Sequence, residues 1–218
     1  MAAQVKSKQR VEEHGEVFTN EREVNAMLDM VKQETERIDS RFLEPACGDG
    51  NFLSEVLRRK LAVVAERYGK SQLEYERYAF VAVSSIYGVD IMADNVEECR
   101  ERLYGIVKDV YEQQFKDACR PEVLGSIRYL LSKNILCGDA LTLTTSRGEP
   151  IVFPEWSLVM GSKIVRRDFT FAALLNVSTE APTFDMLDEI DQDEMGKIIP
   201  KPIKEYPMTS FLEVAKYE

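Results

Sequence analysis

The sequence predicts an α/β protein whose core is a parallel β-sheet covered by helices. Short apolar segments of strand character alternate with longer segments of helical spacing, in the order β-α-β-α-β. The first strand runs into a glycine turn, Gly48-Asp49-Gly50, and the next two strands end on acidic residues, Asp90 and Asp139. This order is one half of a doubly wound parallel sheet, which binds ligands at the carboxyl ends of its strands.

The composition is that of a globular protein whose charge disfavours unaided binding to nucleic acid. Of the 218 residues, 44% are apolar and 30% are charged, which is sufficient for one large core. Acidic residues outnumber basic ones, 38 against 28, and the formal net charge is -10. Because phosphates are held mainly by Lys and Arg, we expect any contact with DNA to need a local basic patch or a partner.

The cysteines and the first residues of the chain predict a reducing compartment. The four cysteines are widely spaced without a Cys-x-x-Cys pair, and His14 is the one histidine, so we expect neither a zinc site nor a disulfide framework. The first residues lack a signal-peptide core, and no stretch approaches the roughly 20 apolar residues of a membrane span. We therefore expect a cytoplasmic protein with no membrane contact.

The first half of the predicted sheet consists of a helix, a strand, the glycine turn and a second helix. Apolar spacing predicts an amphipathic helix over residues 21–38, with Thr19 or Asn20 as its N-cap. A short apolar run at residues 41–46 predicts the first strand. After the turn, apolar residues resume helical spacing at Phe52, Leu53, Val56, Leu57, Leu61 and Val64.

The second half contains two further strands separated by helices. Residues 78–91 include a β-branched and aromatic run that predicts a buried strand, with its core at residues 85–90. A long charged helix is predicted over residues 94–114, and a shorter one over residues 121–131. The third strand is predicted at residues 134–141.

Beyond the third strand the periodicity weakens. We expect four parts: a flexible amino terminus (1–13), the sheet domain (14–143), an irregular apolar and basic extension (144–178), and an acidic, proline-containing tail (179–218) that is extended or partly disordered. The basic residues Lys163, Arg166 and Arg167 either contact DNA phosphates or form a solvated face. Trp156 is expected to pack in the core or an interface.

The three strand ends together favour a nucleoside site. A glycine turn lets a cofactor approach the backbone at the start of the next helix, although Gly48 and Gly50 alone fit an ordinary helix cap equally well. Asp90 could accept hydrogen bonds from ribose hydroxyls, and Asp139 could accept one from an adenine amino group. Each acid could instead cap its following helix, but three coincident features at successive strand ends favour the ligand site.

Two segments closely resemble the motifs of a known enzyme family. Phe42-Leu43-Glu44-Pro45-Ala46-Cys47-Gly48-Asp49-Gly50-Asn51-Phe52-Leu53 is similar to the S-adenosylmethionine-binding motif of adenine-N6 DNA methyltransferases of restriction-modification systems. Upstream, Gly15-Glu16-Val17-Phe18-Thr19-Asn20 resembles the segment that packs on the methionine end of the cofactor, with Asn20 replacing the usual proline. This order is that of the gamma class, and the resemblance covers about residues 14–141.

The resemblance implies a Rossmann-like class I methyltransferase sheet and a set of S-adenosylmethionine-binding residues. It implies that Phe18 and Thr19 flank the methionine moiety, that Asp90 holds the ribose, and that Asp139 holds the adenine. The other cofactor-binding residues implied by the comparison are Glu44, Ala46, Gly48, Gly50, Asn51, Phe52, Ile91 and Ala140.

The catalytic motif of that family is missing. These enzymes use an Asn-Pro-Pro-Tyr or Asp-Pro-Pro element after the fourth strand to orient the flipped adenine, and the chain contains neither. Only the first three strands have convincing candidates, so the sheet is expected to be incomplete, with a hydrophobic edge at its first strand. We expect the chain to self-associate through this edge, or to cover it with residues 144–175 until a partner displaces the cover. The nucleophile of cytosine-C5 methyltransferases is a cysteine directly after a proline. Here Ala46 separates Cys47 from Pro45, so we predict a buried thiol instead of such a nucleophile.

Three functional hypotheses follow. The leading one is the cofactor-binding part of a site-specific DNA adenine-N6 methyltransferase that is inactive as a single chain, with a partner chain supplying the Asn-Pro-Pro-Tyr motif and target recognition. A second is a non-catalytic S-adenosylmethionine-binding or assembly subunit of a restriction-modification complex. A third, a methyltransferase acting alone on a small molecule or protein, is disfavoured because little chain remains after residue 141. In these restriction-modification hypotheses the chain contacts DNA as part of a complex. Self-association of the chain is a further alternative.

Overall fold

The computed structural model describes Arg10 and residues 19–176, 191–192 and 198–217. Its helices are α1 (Glu21–Met30), α2 (Lys32–Thr35), α3 (Asn51–Tyr68), α4 (Gln72–Ser84), α5 (Ala93–Phe115), α6 (Pro121–Asn134) and α7 (Phe171–Asn176), with 3-10 turns at Lys116–Ala118 and Val214–Lys216. Its strands are β1 (Phe42–Glu44), β2 (Ile86–Asp90), β3 (Ile135–Asp139), β4 (Thr144–Thr145), β5 (Val152–Val159), β6 (Lys163–Thr170), β7 (Asp191–Gln192), β8 (Ile198–Ile199), β9 (Lys204–Glu205) and β10 (Thr209–Ser210). None of the described helices could cross a membrane.

The predicted α/β architecture is present, with a mixed sheet in the order β1-β2-β3-β4. β1 pairs with β2 and β2 with β3 in parallel, and β4 adds to β3 in antiparallel orientation. The α3–α4 pair connects β1 to β2, and the α5–α6 pair connects β2 to β3. This arrangement is compatible with a Rossmann-like fold, and within the described residues β1 is the outer strand of the sheet.

The main core lies between the parallel strands and the helices α3 to α6. Leu53 and Leu57 of α3 are fully buried, and burial of each such side chain stabilises the fold by about 1.5–3 kcal/mol. Buried helix residues recur at three- and four-residue spacing, which is why the amphipathic pattern could be recognised in the sequence. In the second predicted strand, however, residues 78–84 continue α4, and only residues 86–90 extend as β2.

A second apolar cluster contains Tyr87 and Val89 from β2, together with Ile151, Phe153 and Phe171 from the later part of the chain. The Tyr87 hydroxyl donates to the Pro154 carbonyl at 2.8 Å. Residues after the third strand therefore pack on the sheet, and their apolar side chains help to form the core.

Residues 144–178, which we expected to be irregular, contain a β-hairpin. β5 and β6 pair in antiparallel register along eight residues each, from Val152↔Thr170 to Val159↔Lys163. The connection includes Met160 and Gly161, both with positive φ. Met at a left-handed position gives no turn signal in sequence, and basic residues interrupt the alternation of β6, so the sequence pattern did not predict the hairpin.

The hairpin also gives its basic residues structural partners. Arg166 is 6% exposed and donates to both carboxylate oxygens of Asp168 at 2.7 Å. Arg167 forms ion pairs with Glu155 and Glu205. These contacts remove Arg166 from any solvent-facing basic patch, so the expectation of a DNA-contacting or solvated basic group is wrong for this residue. Trp156 is buried, as predicted.

The end of the chain docks on the hairpin, although we expected residues 179–218 to form a loose tail. β9 and β10 pair with β6, and Phe211, Val214 and Tyr217 are buried in the main core. Of the three, Val214 begins the terminal 3-10 turn, Tyr217 directly follows the turn, and Phe211 precedes it. The acidic stretch at residues 180–195 falls largely outside the described residues.

Asn134 ties the hairpin to the parallel sheet. It is fully buried at the end of α6, and its side-chain Nδ2 donates to the carbonyls of Ser84 and Ile86 at 3.3 and 3.0 Å. Its Oδ1 accepts from the Trp156 indole at 2.9 Å. All hydrogen-bonding groups of the two side chains are therefore used in joining the layers.

The buried Lys60 gives the fold a specific pH dependence. Its Nζ donates to the Ile38 and Ser40 carbonyls and to the Ser85 hydroxyl, and burial lowers the pKa of this ammonium group to about 7. The folded state then binds fewer protons than the unfolded state between pH 7 and the unfolded lysine pKa of about 10.4. The contribution of Lys60 to the free energy of unfolding therefore rises with pH in this window, by at most about 1.4 kcal/mol per unit.

Urea unfolding of the parent and a Lys60→Met variant at pH 7, 8 and 9 tests this expectation. The stability of the parent relative to Lys60→Met should rise with pH. Both proteins contain the same cysteines and tyrosines, so taking the difference cancels the titration of those groups. Lys108→Met, at a partly exposed position on α5, is the control and should give a flat difference. A flat difference for Lys60→Met as well would contradict the lowered pKa.

Candidate functional site

A cavity of about 520 Å³ lies at the carboxyl ends of β1, β2 and β3. Most of the residues predicted to bind a cofactor line it: Thr19, Glu44, Ala46, Gly48, Asn51, Phe52, Asp90, Ile91, Asp139 and Ala140. Phe18 lies outside the described residues. Gly50 is the exception, because it is described but does not line the cavity.

The glycine turn shapes the cavity floor. Gly48 and Gly50 have φ values of 52° and 89°, a region that L side chains rarely adopt. The Cys47 amide donates to the Val89 carbonyl at 2.9 Å, which fixes the turn against β2. Gly50 is the N-cap of α3, so the amino end of this helix begins at the cavity.

Gly50 allows close packing between two helices. A Cβ atom at this position would lie 2.7 Å from the Cys99 Sγ and 3.3 Å from the Cys99 Cα. The absence of a side chain therefore lets the start of α3 approach α5 closely. The positive φ and this contact explain the glycine, and the predicted role of Gly50 in cofactor binding stays a prediction.

Asp90 ends β2 with a carboxylate that is already oriented. Its Oδ2 accepts from the Gly48 amide at 2.9 Å. Its Oδ1 accepts from the Met92 amide at 2.8 Å and the Asn95 Nδ2 at 3.2 Å. The side chain joins the glycine turn to the amino end of α5. A carboxylate has about four acceptor positions, so capacity remains for a ligand hydroxyl.

Asp139 ends β3 in a similar way, with apolar side chains beside it. Its Oδ1 accepts from the Leu141 amide at 2.8 Å, and no residue that the structure describes donates to its Oδ2. Ile91 is 57% exposed and Leu141 94% exposed, an unusual degree for large apolar residues at the rim of a cavity. Apolar side chains flanking a hydrogen-bond acceptor are suited to a flat heterocycle with an amino group.

The cavity is negatively charged. Glu44, Asp49, Asp90 and Asp139 line it, and no Lys, Arg or His is among its described lining residues. Burial raises the pKa of the Glu44 carboxyl. A cavity with this lining favours ligands that carry positive charge and disfavours phosphate groups.

Arg102 of α5 holds the turn from outside the cavity. It donates to Asp49 Oδ2 and Asn51 Oδ1, each at 2.5 Å. The second oxygen of Asp49, Oδ1, is buried and accepts no hydrogen bond from any residue that the structure describes. A buried acceptor of this kind is a candidate partner for a ligand donor.

Sequence patterns did not identify several cavity residues. Met27, Pro45, Met92, Asn95, Gly138 and Leu141 also line it. Asn95 and Met92 follow Asp90 closely, and their nearness in sequence was the available signal. Met27 was assigned correctly to an amphipathic helix, but nothing in its pattern showed that this part of α1 would reach the cavity.

Cys47 is a buried thiol, as predicted, with 5% exposure. The pKa of the Cys47 thiol is raised well above its ordinary value. The main cause is a hydrogen bond with Cys99, and the second is burial. The thiolate is the nucleophilic form of cysteine, so this residue is unsuited to covalent catalysis at neutral pH.

Comparisons of the chain with protein-family models, with curated proteins and with solved structures give no significant match.

Proposed function

We propose that the chain is the S-adenosylmethionine-binding part of a site-specific DNA adenine-N6 methyltransferase, with the catalytic tetrapeptide on a partner chain. The observation that carries the proposal is the convergence of Gly48, Asp90 and Asp139 on one acidic cavity at the ends of three successive parallel strands. The motif resemblance around residues 42–53 is the basis for the proposed reaction, and the cavity is the proposed binding site of its cofactor.

The charge of the cavity separates this cofactor from other nucleotides. Dinucleotides and ATP carry phosphates, which would lie among four carboxylates with no basic side chain in the described lining. S-adenosylmethionine instead combines a nucleoside with a sulfonium and an ammonium group. The carboxylates of Glu44 and Asp49 are placed to favour these cations, and the buried Asp49 Oδ1 can accept from the ammonium.

Each part of the proposed cofactor has a matching group in the cavity. Asp90 accepts from a ribose hydroxyl, and Asp139 accepts from the adenine amino group, with Ile91 and Leu141 against the ring. The amino end of α3 favours the amino-acid carboxylate. The bound cofactor supplies an activated methyl group, and these residues orient it without covalent participation.

The edge of β1 that faces away from β2, with which no described strand pairs, supports a partner chain. The Phe42 amide donates to the Ser85 carbonyl at 2.9 Å, so strand alternation directs the backbone groups of Leu43 away from β2. Leu43 is 40% exposed and borders a second cavity, of about 300 Å³, lined by Arg41, Leu43, Tyr87, Phe153, Pro154, Glu155, Phe169, Phe171, Leu174, Leu175 and Pro200.

We propose a strand of the partner as the occupant of this edge. Glu44 and Pro45, immediately after Leu43, line the acidic cavity, so a strand paired with β1 would end beside the proposed cofactor. That is where an Asn-Pro-Pro-Tyr element must present a flipped adenine. The alternative function is a non-catalytic subunit that binds S-adenosylmethionine or serves in assembly. It uses the same cavity but needs no Asn-Pro-Pro-Tyr element. Self-association of the chain through β1 is a further use of the edge.

Thermal unfolding tests the proposed cofactor. S-adenosylmethionine or S-adenosylhomocysteine at 100 times its dissociation constant should stabilise the fold by about 2.7 kcal/mol, a melting shift of roughly 5–10 °C for a chain of this size. ATP at the same concentration should give no comparable shift, because of the acidic lining. A shift with ATP alone would contradict the proposed cofactor. No shift with any of the three would leave an assembly subunit without a cofactor as the supported function.

A further inference from the structure

The Asp90 carboxylate is held by donors from three parts of the chain. Two are backbone amides, from Gly48 in the glycine turn and Met92 before α5. The third is the side-chain amide of Asn95, whose Nδ2 lies 3.2 Å from Asp90 Oδ1. Asn95 is 1% exposed in the first turn of α5, so its side chain has a fixed environment. It is the one side chain among the three donors.

The amide of Asn95 is oriented by a further contact. Arg10 Nη2 donates to Asn95 Oδ1 at 3.3 Å, and both guanidinium Nη atoms donate to Asp94, at 2.6 and 3.1 Å. An asparagine amide can bind in two flipped orientations. The Arg10 donor requires an oxygen in this position, so the nitrogen is directed to Asp90.

We propose that Asn95 is a positioning residue that fixes Asp90 for a ribose hydroxyl; this inference rests on the proposed nucleoside site. Met92 and Asn95 occupy Oδ1 of Asp90, whereas Oδ2 accepts a single amide, from Gly48. The spare acceptor capacity is therefore on Oδ2. Without Asn95 only the two backbone amides hold the carboxylate, so its preferred orientation is less strongly fixed.

The test measures the affinity of two ligands by calorimetry, S-adenosylhomocysteine and its 2′,3′-dideoxy analogue. The parent should bind the first more tightly by about 10- to 100-fold, because a hydrogen bond to a charged group has this effect on affinity. Asn95→Ala should reduce that preference by about 5- to 10-fold and leave the affinity for the dideoxy analogue nearly unchanged.

Two further variants define the comparison. Asn95→Asp keeps the shape of the side chain but removes the donor at neutral pH, so it should lose the preference for ribose at least as strongly as Asn95→Ala. It also tests the inference if Asn95→Ala folds poorly. Glu97→Ala is the matched control on the same helix, because Glu97 is exposed and pairs with Arg100; it should retain the parent preference.

A double-mutant cycle separates positioning from direct contact, since Asn95 also lines the cavity. In an Asp90→Ala background, Asn95→Ala should have no further effect on the preference for ribose. An undiminished effect in that background would show direct contact and overturn the inference. Equal loss of both ligands in Asn95→Ala would show a packing role and also overturn it. Failure of the parent to bind either ligand would instead overturn the proposed function, and this inference with it.

Discussion

Gly50→Val is expected to lower the free energy of unfolding by about 2–6 kcal/mol. Gly50 has a φ of 89°, and a β-branched residue in this region is strained by about 1–3 kcal/mol. A Cβ atom would also lie 2.7 Å from Cys99 Sγ, and overpacking of this kind costs about 1–3 kcal/mol. Urea unfolding of the parent and the variant measures the sum.

Matched variants separate the two causes. In a Cys99→Ala background, Gly50→Ala should destabilise less than in the parent background, because the sulfur contact is gone and only the backbone strain and the 3.3 Å contacts with Cα and Cβ of residue 99 remain. Gly105→Ala is the control: no atom lies within 4 Å of the added Cβ, and Ala is favoured over Gly within a helix. If Gly50→Val were as stable as the parent, the close approach of α3 to α5 described above would be contradicted.

Asp90→Ala is expected to weaken the binding of S-adenosylhomocysteine by about 10- to 100-fold. The reason is the loss of a charged acceptor for ribose, worth about 1.5–3 kcal/mol. The carboxylate also accepts from Gly48 and Met92, so part of the effect comes from a less ordered turn. Titration calorimetry gives the affinity, and the melting temperature reports the change in the fold.

Asp109→Asn is the control for Asp90→Ala. Asp109 is exposed on α5 and lies sixteen residues after its first residue, or about 24 Å along the helix axis. This substitution removes one negative charge without touching the cavity and should leave the affinity unchanged. An unchanged affinity for Asp90→Ala, with a folded protein, would remove Asp90 from the binding site.

The parallel strands and their ends could be predicted because their signals are local. The apolar runs before Gly48, Asp90 and Asp139 are short and bounded by turns, and parallel strands bring their carboxyl ends to one edge of a sheet. For this reason the residues at those ends could be expected to meet without knowledge of any contact. The boundaries were less accurate, as in residues 78–84, where β-branched and aromatic residues belong to a buried helix.

The later part of the chain could not be predicted because its order depends on distant partners. The β5–β6 hairpin is stabilised by contacts such as Trp156 with Asn134, which lie in different layers of the fold. The terminal residues Phe211 and Tyr217 are buried only because β9 and β10 find β6 as a pairing edge. Composition predicted an acidic, extended or partly disordered tail, because the local sequence does not indicate that β9 and β10 pair with β6.

The cavity itself was partly predictable. Glycine and acidic residues at strand ends have a recognisable spacing, whereas Asn95 and Arg102 act through side chains on α5 that face the cavity or its turn. Their roles follow from the register between α5 and the sheet, which only the folded structure provides. Gly50 shows the converse case, because the motif suggested a ligand contact and the structure assigns a packing contact.

The most direct test of the proposed cofactor site is a crystal structure of the chain with S-adenosylhomocysteine. We expect the ligand in the acidic cavity, with a ribose hydroxyl within about 3.2 Å of Asp90 Oδ2. The adenine amino group should lie near Asp139, and the amino-acid end near Glu44 and the start of α3. A ligand bound elsewhere, or a phosphate-bearing nucleotide that occupies the cavity while S-adenosylhomocysteine does not, would contradict the account.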